Sequence, residues 1–320
     1  MNAAWLHPLL MVIAALTGLA AGSLFGADES VSWLIEPLLI VMLFSVFLCI
    51  DVGDVGRSLS NRRFLSVALL INFVWAPVLA YLLGIGFFGD SVDARIGLIM
   101  LLVTPCTDWY LVFTSVAKGN VPLSGSLLPF NLVLQILLLP VYIEFFIGSD
   151  ASFDMLRMFI DMGIILIPLA AAAVVRLIAS RCGPLLRITE SLNFKADPIQ
   201  LFFLCLAIAV MFAAESTVLS DNLGLLVETL VPLLVFFVVN YLLAHVVSRI
   251  MGFPYDDCTS LTFTTMARNS PLALAIAVMV FPDQPIVMLM LVIGPLIELP
   301  ILSVAASLRL RGRNPTNLPE

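Results

Sequence analysis

Ten apolar stretches follow one another along this chain, at about 8–26, 32–50, 64–88, 96–118, 122–147, 153–177, 197–214, 223–249, 257–281 and 285–308, joined by short polar connections. A hydrocarbon layer of about 30 Å demands about 20 apolar residues of each spanning helix, because lipid offers no partner to an unpaired backbone group. Hydrophobic residues make up 61% of the chain and charged ones 12%, and the mean hydropathy is +1.11. An ordinary soluble globule is thereby excluded, and an all-α polytopic membrane protein with ten transmembrane helices is predicted. The first stretch ends in Ala20-Ala21-Gly22-Ser23, which looks cleavable. It lacks a basic leader, and a second apolar stretch follows at once, so it reads as a retained span.

Basic residues set the orientation. Of the 15 Lys and Arg, Arg268 lies within a stretch and twelve fall in alternate connections or the C-terminal tail, leaving Arg95 and Arg157 on the other side. The opposite connections are acidic, as at Asp28-Glu29 and at Asp90 with Asp93. Both termini are therefore expected in the cytoplasm, with the chain in the plasma (inner) membrane.

Two stretches are interrupted. In the fourth, Thr104-Pro105-Cys106-Thr107-Asp108 cuts the apolar run. Ile96 to Val103 spans only about 12 Å as a helix, far short of a bilayer. Pro105 removes a donor from the preceding turn, which hydrocarbon tolerates only beside protein or a cavity. In the ninth, Ala267-Arg268-Asn269-Ser270-Pro271 makes a similar break. A proline kink with incidental polar neighbours is the plain alternative. A buried carboxylate and a buried guanidinium argue for more, since such charges are costly in lipid and mark transport pathways.

The breaks at Cys106 and Asn269 sit at matching places in two halves, as do Asn72 and Asn240. Five stretches per half place the second half in the membrane upside down. The chain thus reads as an inverted five-plus-five repeat, residues 1–150 and 151–320, with its site where the interrupted helices meet.

Cys106 is a candidate soft ligand, because a thiol near the N-terminal end of a half-helix is favoured as thiolate. A buried small hydrophobe is the commoner role of cysteine, and is the reading for Cys49, Cys182 and Cys205; Cys258 is left open. Asp108 and Arg268 could meet if the helices cross. They would then be either a structural ion pair or a proton-sensitive switch, with Asp108 titrating because Arg keeps its proton. Asn72 and Glu298 read as lining the site. Asn131, Gln135 and Asn240 read as amides bonding across packed helices.

Other chemistries are poorly served. The five cysteines have no CxxC spacing, His7 and His245 stand apart, and neither a phosphate-binding glycine loop nor a serine–histidine signature is present. No enzyme, cofactor, metal centre or nucleic-acid partner is expected. The expected partners are a small-molecule substrate, a proton and the lipid bilayer.

Several motifs carry a resemblance. Pro105-Cys106-Thr107 with Lys118-Gly119 resembles the fourth span of the arsenite permeases of the arsenical-resistance-three type, within the bile acid:sodium symporter superfamily. Asn72 with Pro77 resembles the third span of those permeases. Pro254-Tyr255-Asp256-Asp257, Phe263-Thr264 and Leu272-Ala273-Leu274-Ala275 resemble the ninth, and Gly294-Pro295-Leu296-Ile297-Glu298-Leu299-Pro300 resembles the last. The resemblance implies a panel of helices 1, 2, 6 and 7 beside a core of helices 3, 4, 5, 8, 9 and 10, with broken helices 4 and 9 crossing. It also implies that Cys106 handles trivalent arsenic.

Departures are present. Where sodium-coupled members carry sodium ligands, this chain has Tyr110, Leu111, Thr264 and Arg268, which argues against sodium coupling. Pro271 stands where the arsenite permeases carry a Glu, and Asp108 is an acid they usually lack. The expectation is a secondary transporter exporting arsenite or antimonite for protons. In that reading Asn72, Cys106, Thr107, Arg268, Asn269 and Glu298 bind substrate and Asp108 carries the proton. The alternatives are a sodium-independent carrier of a small organic anion, with Arg268 binding its carboxylate, and a membrane sensor with an idle transport fold.

Overall fold

The computed structural model describes residues 3–25, 29–35, 61–107, 109–148, 201–214 and 223–311, with scattered positions between 37 and 44, between 167 and 178, and at 216. The expected second and sixth spans lie mostly outside the described residues, as do Cys49, Asp108 and Cys182. The described residues are helical, and their one β feature is an isolated bridge between Pro105 and Arg268.

Helix α1 covers Ala3–Phe25. Then α2 (Arg62–Leu70), a π turn (Ile71–Trp75) and α3 (Ala76–Phe88) run on as one rod. The fourth expected span is split into α4 (Val92–Val103) and α5 (Trp109–Val116). A short α6 (Val121–Gly125) leads into α7 (Leu128–Ile147), and α8 covers Leu201–Ala214. Helix α9 (Leu223–Met251) precedes the ninth expected span, split into α10 (Tyr255–Met266) and α11 (Ser270–Val280). Helix α12 (Pro285–Arg311) ends the described chain.

Among the described residues, four stretches are long and apolar enough to cross a membrane: Arg62–Phe88, Val121–Ile147, Val227–Met251 and Pro285–Arg311. They coincide with the expected third, fifth, eighth and tenth spans. Their boundaries follow from local chemistry. Asn61 and Ser91 cap α2 and α4 through their side chains. Gly252 at φ 68° ends α9, a left-handed position that favours glycine.

The core forms around the broken helices. Every residue of α4 from Ala94 to Val103 is buried, as is every residue of α10 from Cys258 to Met266. A helix enclosed on all faces is expected to be apolar all round, yet α10 carries five buried hydroxyl residues. Thr259, Ser260, Thr262 and Thr265 donate to carbonyls one turn back, at 2.8–3.0 Å, which lets a polar helix sit in an apolar bundle. Helix α4 packs between α3 and α12, α10 packs against α9 and α5, and α11 packs against α12.

Gly97 permits the close approach of α4 and α12. A Cβ there would lie 2.6 Å from the Met290 Cβ and 3.1 Å from the Val287 carbonyl oxygen, whereas one at Gly86 would meet nothing within 4 Å. Gly97→Ala is therefore expected to lower stability by about 1–3 kcal/mol. Gly86→Ala should raise it by about 0.5–1 kcal/mol through its helix preference. Thermal unfolding of the detergent-purified protein should move in opposite directions for the two variants.

Candidate functional site

Two helix breaks create backbone groups that the bundle must satisfy, and each break satisfies the other. The Cys106 N–H donates to the Ala267 carbonyl at 3.0 Å, and the Asn269 N–H donates to the Thr104 carbonyl at 2.8 Å. These bonds flank the Pro105–Arg268 bridge. In an antiparallel pair, the residue between two such bonds needs no N–H of its own. Proline, which has none, therefore fits at Pro105 without loss.

The carbonyls at the ends of the half-helices find side-chain donors. Thr104 Oγ1 donates back to Met100 and Leu101 at 2.9 and 3.2 Å. Arg268 takes most of the remainder. Its Nη1 donates to the Leu102 carbonyl at 3.0 Å, its Nε to Met266 at 3.2 Å, and its Nη2 to the Thr265 carbonyl. Nη2 also donates to Asn72 Oδ1 at 3.2 Å, and the guanidinium lies 5.0 Å over the Phe236 ring. One fixed cation thus sits where the C-terminal ends of α4 and α10 converge, the negative ends of both helix dipoles.

Around this cation the candidate residues gather. Asn72 lies in the π turn of the α2–α3 rod, where the local widening accompanies a buried polar side chain. Its Nδ2 donates to the Thr264 carbonyl at 3.3 Å and reaches Asn131 Oδ1 at 3.5 Å. Asn131 Nδ2 in turn reaches the Cys106 carbonyl at 3.5 Å. Asn269 caps α11 by accepting from the Leu272 N–H at 3.2 Å, and donates to Thr107 Oγ1 at 3.1 Å. Glu298, from α12, accepts the Arg268 backbone N–H at 2.8 Å. The charge of Arg268 also interacts with that of Glu298. Cys106, Thr107, Asn72, Arg268, Asn269 and Glu298 therefore share one buried region at the crossing, and Asp108 lies outside the described residues.

The amides behave unequally. Asn131, read from sequence as an amide bonding across packed helices, does so, and by tying Asn72 to the Cys106 peptide it belongs to the crossing. Asn240 was expected to bond across helices, but its Nδ2 donates to the Phe236 carbonyl of its own helix at 2.9 Å. Gln135 is buried with neither amide atom hydrogen-bonded among the described residues, and the hydroxyls of Thr264 and Ser270 are likewise unpartnered. Gln135 lies one turn from Asn131 on the same face of α7. Thr264 is the neighbour of Thr265 at the α10 end, and Ser270 starts α11. Buried polar atoms without protein partners are places where ordered water is commonly held.

The geometry makes Arg268 hard to replace. Arg268→Lys keeps the charge but loses the fork that serves three carbonyls and an amide, and is expected to cost about 3–5 kcal/mol. A loss of unfolding temperature as large as that of Arg268→Met would show that the fork, rather than charge alone, holds the crossing.

The profile of the sodium bile acid symporter family matches residues 36–222. The chain is similar to arsenical-resistance protein Acr3 of Corynebacterium glutamicum, with 24% identity over 315 residues, covering 92% of this chain and 85% of that protein. It is also similar to the uncharacterized protein YbaS of Bacillus subtilis, with 23% identity over 295 residues, covering 91% of this chain and 92% of that one. The apolar helices, the interrupted pair and these similarities describe a multi-pass membrane transporter rather than an enzyme. The chain belongs to the sodium bile acid symporter family.

Proposed function

We propose that this transporter exports trivalent arsenite or antimonite across the plasma membrane in exchange for protons. The proposed architecture is ten helices in an inverted five-plus-five repeat, residues 1–150 and 151–320, with both termini cytoplasmic. The observation that carries the reading is the position of Cys106, a buried thiol at the meeting point of two broken helices. The similarity to an arsenical-resistance protein supports it.

The chemistry runs as an exchange of ligands. Arsenite at neutral pH is the neutral hydroxide As(OH)3, soft at its arsenic and hydroxylated at its edge. The Cys106 sulfur displaces one hydroxyl: an S–As bond forms, an As–O bond breaks, and the thiol proton leaves with the hydroxyl as water. Attack of water in the reverse sense releases the cargo. A single thiol holds the metalloid more weakly than several would, which suits a carrier that must also let go. The remaining hydroxyls would bond Thr107 and Asn269, with Gln135, Thr264 and Ser270 offering further polar atoms. Asn72 and Glu298 border this region, and Asp108 carries the proton that returns.

Arg268 takes the part of a tethered cation. Leu102, Thr265 and Met266 carbonyls and the Asn72 amide oxygen surround its guanidinium, a set of oxygens of the kind that holds a small monovalent ion. With the guanidinium there, no sodium is required. Four of the five N–H donors are engaged, leaving little for a substrate carboxylate, which weighs against the organic-anion reading.

Uptake of arsenite into everted vesicles tests the reading. Accumulation should follow an imposed proton gradient and keep its rate when choline replaces sodium. Cys106→Ala should weaken arsenite affinity about tenfold or more, equivalent to about 1.4 kcal/mol or more of lost bonding. Asp108→Asn should abolish uphill accumulation while downhill flux persists. Unchanged proton-driven uptake in both variants would refute these roles, and displacement by organic acids but not by antimonite would favour the organic-anion carrier.

A further inference from the structure

A second polar region lies away from the crossing, where the C-terminal ends of α9 and α12 meet the start of α10. These elements border an open cavity of about 570 Å³ lined by His245, Ser248, Arg249, Tyr255 and Arg309 among others, with no carboxylate among the described lining residues. Arg309 is buried and firmly placed. Its Nε and Nη2 donate to Thr259 Oγ1 at 3.1 and 2.7 Å, and Nη2 also donates to the Tyr255 carbonyl at 3.1 Å. Its guanidinium lies 4.4 Å over the Tyr255 ring. Nη1 meets His245 Nε2 at 2.5 Å, and His245 Nδ1 meets the Tyr241 carbonyl at 2.7 Å.

These two contacts fix the tautomer. A carbonyl can only accept, so Nδ1 carries the proton, and Nε2 is left to accept from Arg309. The imidazole is therefore neutral, and each of these hydrogen-bond partners of Arg309 is neutral. The positive charge is oriented but not cancelled by them. Ser248 adds an independent sign: it is 2% exposed, its hydroxyl has no partner among the described residues, and it lines the same cavity. Arg249 is exposed beside it. A fixed cation, a second cation and an orphaned hydroxyl, with no acid among the described lining residues, select an oxyanion.

The surroundings say which oxyanion. Leu242, Val246 and Ile250 follow at four-residue spacing on α9 and are 57%, 55% and 77% exposed. On a membrane helix that stripe faces lipid. Val246 and Ile250 also line the cavity, so the acyl-facing surface runs directly into the cationic pocket. We propose that this cavity binds the phosphodiester headgroup of an anionic phospholipid, with its acyl chains lying along the Leu242–Val246–Ile250 stripe.

The test uses the full chain purified in a mild neutral detergent. Its unfolding temperature is measured with added phosphatidylglycerol, with phosphatidylcholine of the same acyl chains, and with inorganic phosphate. Phosphatidylglycerol should raise it by about 3 °C, and the other two should leave it unchanged. Arg249→Gln, at an exposed position that does not hold the fold together, should at least halve the shift. Ser248→Leu, which fills the pocket, should abolish it. Equal shifts for the two lipids, a full shift from inorganic phosphate, or an undiminished phosphatidylglycerol shift in Arg249→Gln would overturn the proposal.

Discussion

The structure depends on backbone hydrogen bonding where a helix stops inside an apolar bundle. Each buried group left unpaired costs about 1–3 kcal/mol or more, and lipid supplies no substitute for water. Two interrupted helices would be untenable singly. Together they exchange the Cys106–Ala267 and Thr104–Asn269 bonds, and Arg268 supplies the donors that the bridge does not. The site exists because the same groups that break the helices also bind them to each other.

This arrangement explains why the neighbourhood is so polar. Thr104, Asn72 and Asn269 are each buried, and each serves a backbone atom: two carbonyls of α4, the Thr264 carbonyl, and the first turn of α11. Four of the five hydroxyls of α10, those of Thr259, Ser260, Thr262 and Thr265, do the same. Structural duty therefore occupies most of the polar side chains. Against that background, the buried polar atoms of Gln135, Thr264 and Ser270 have no hydrogen-bond partner among the described residues.

Much of this was legible in the sequence. Pro105 and the Asn269-Ser270-Pro271 run announce helix ends through chemistry local to the chain, and the apolar runs give the third, fifth, eighth and tenth expected spans within a few residues. The companions of Arg268 were not legible. Apart from Asn72 Oδ1, they are main-chain oxygens of Leu102, Thr265 and Met266, which any residue would provide, so no side-chain pattern encodes those three. Asn131 was legible as an amide bonding across helices, but its partners were not. An amide within an apolar helix looks alike whether it merely packs or ties Asn72 to the Cys106 peptide, and only the spatial arrangement separates the two. The π turn at Asn72 is equally silent, since Ile71–Trp75 has ordinary helical composition.

The bridge itself stops short of becoming a sheet. Ala267 N–H is claimed by Phe263 and the Asn269 carbonyl by Ala273, while the Cys106 carbonyl faces Asn131. The helices thus absorb the very atoms that further rungs would require. The crossing gains the directional grip of paired strands yet presents no open edge on which another strand could grow, so a region of extended backbone is kept inside the bundle without becoming a template for aggregation.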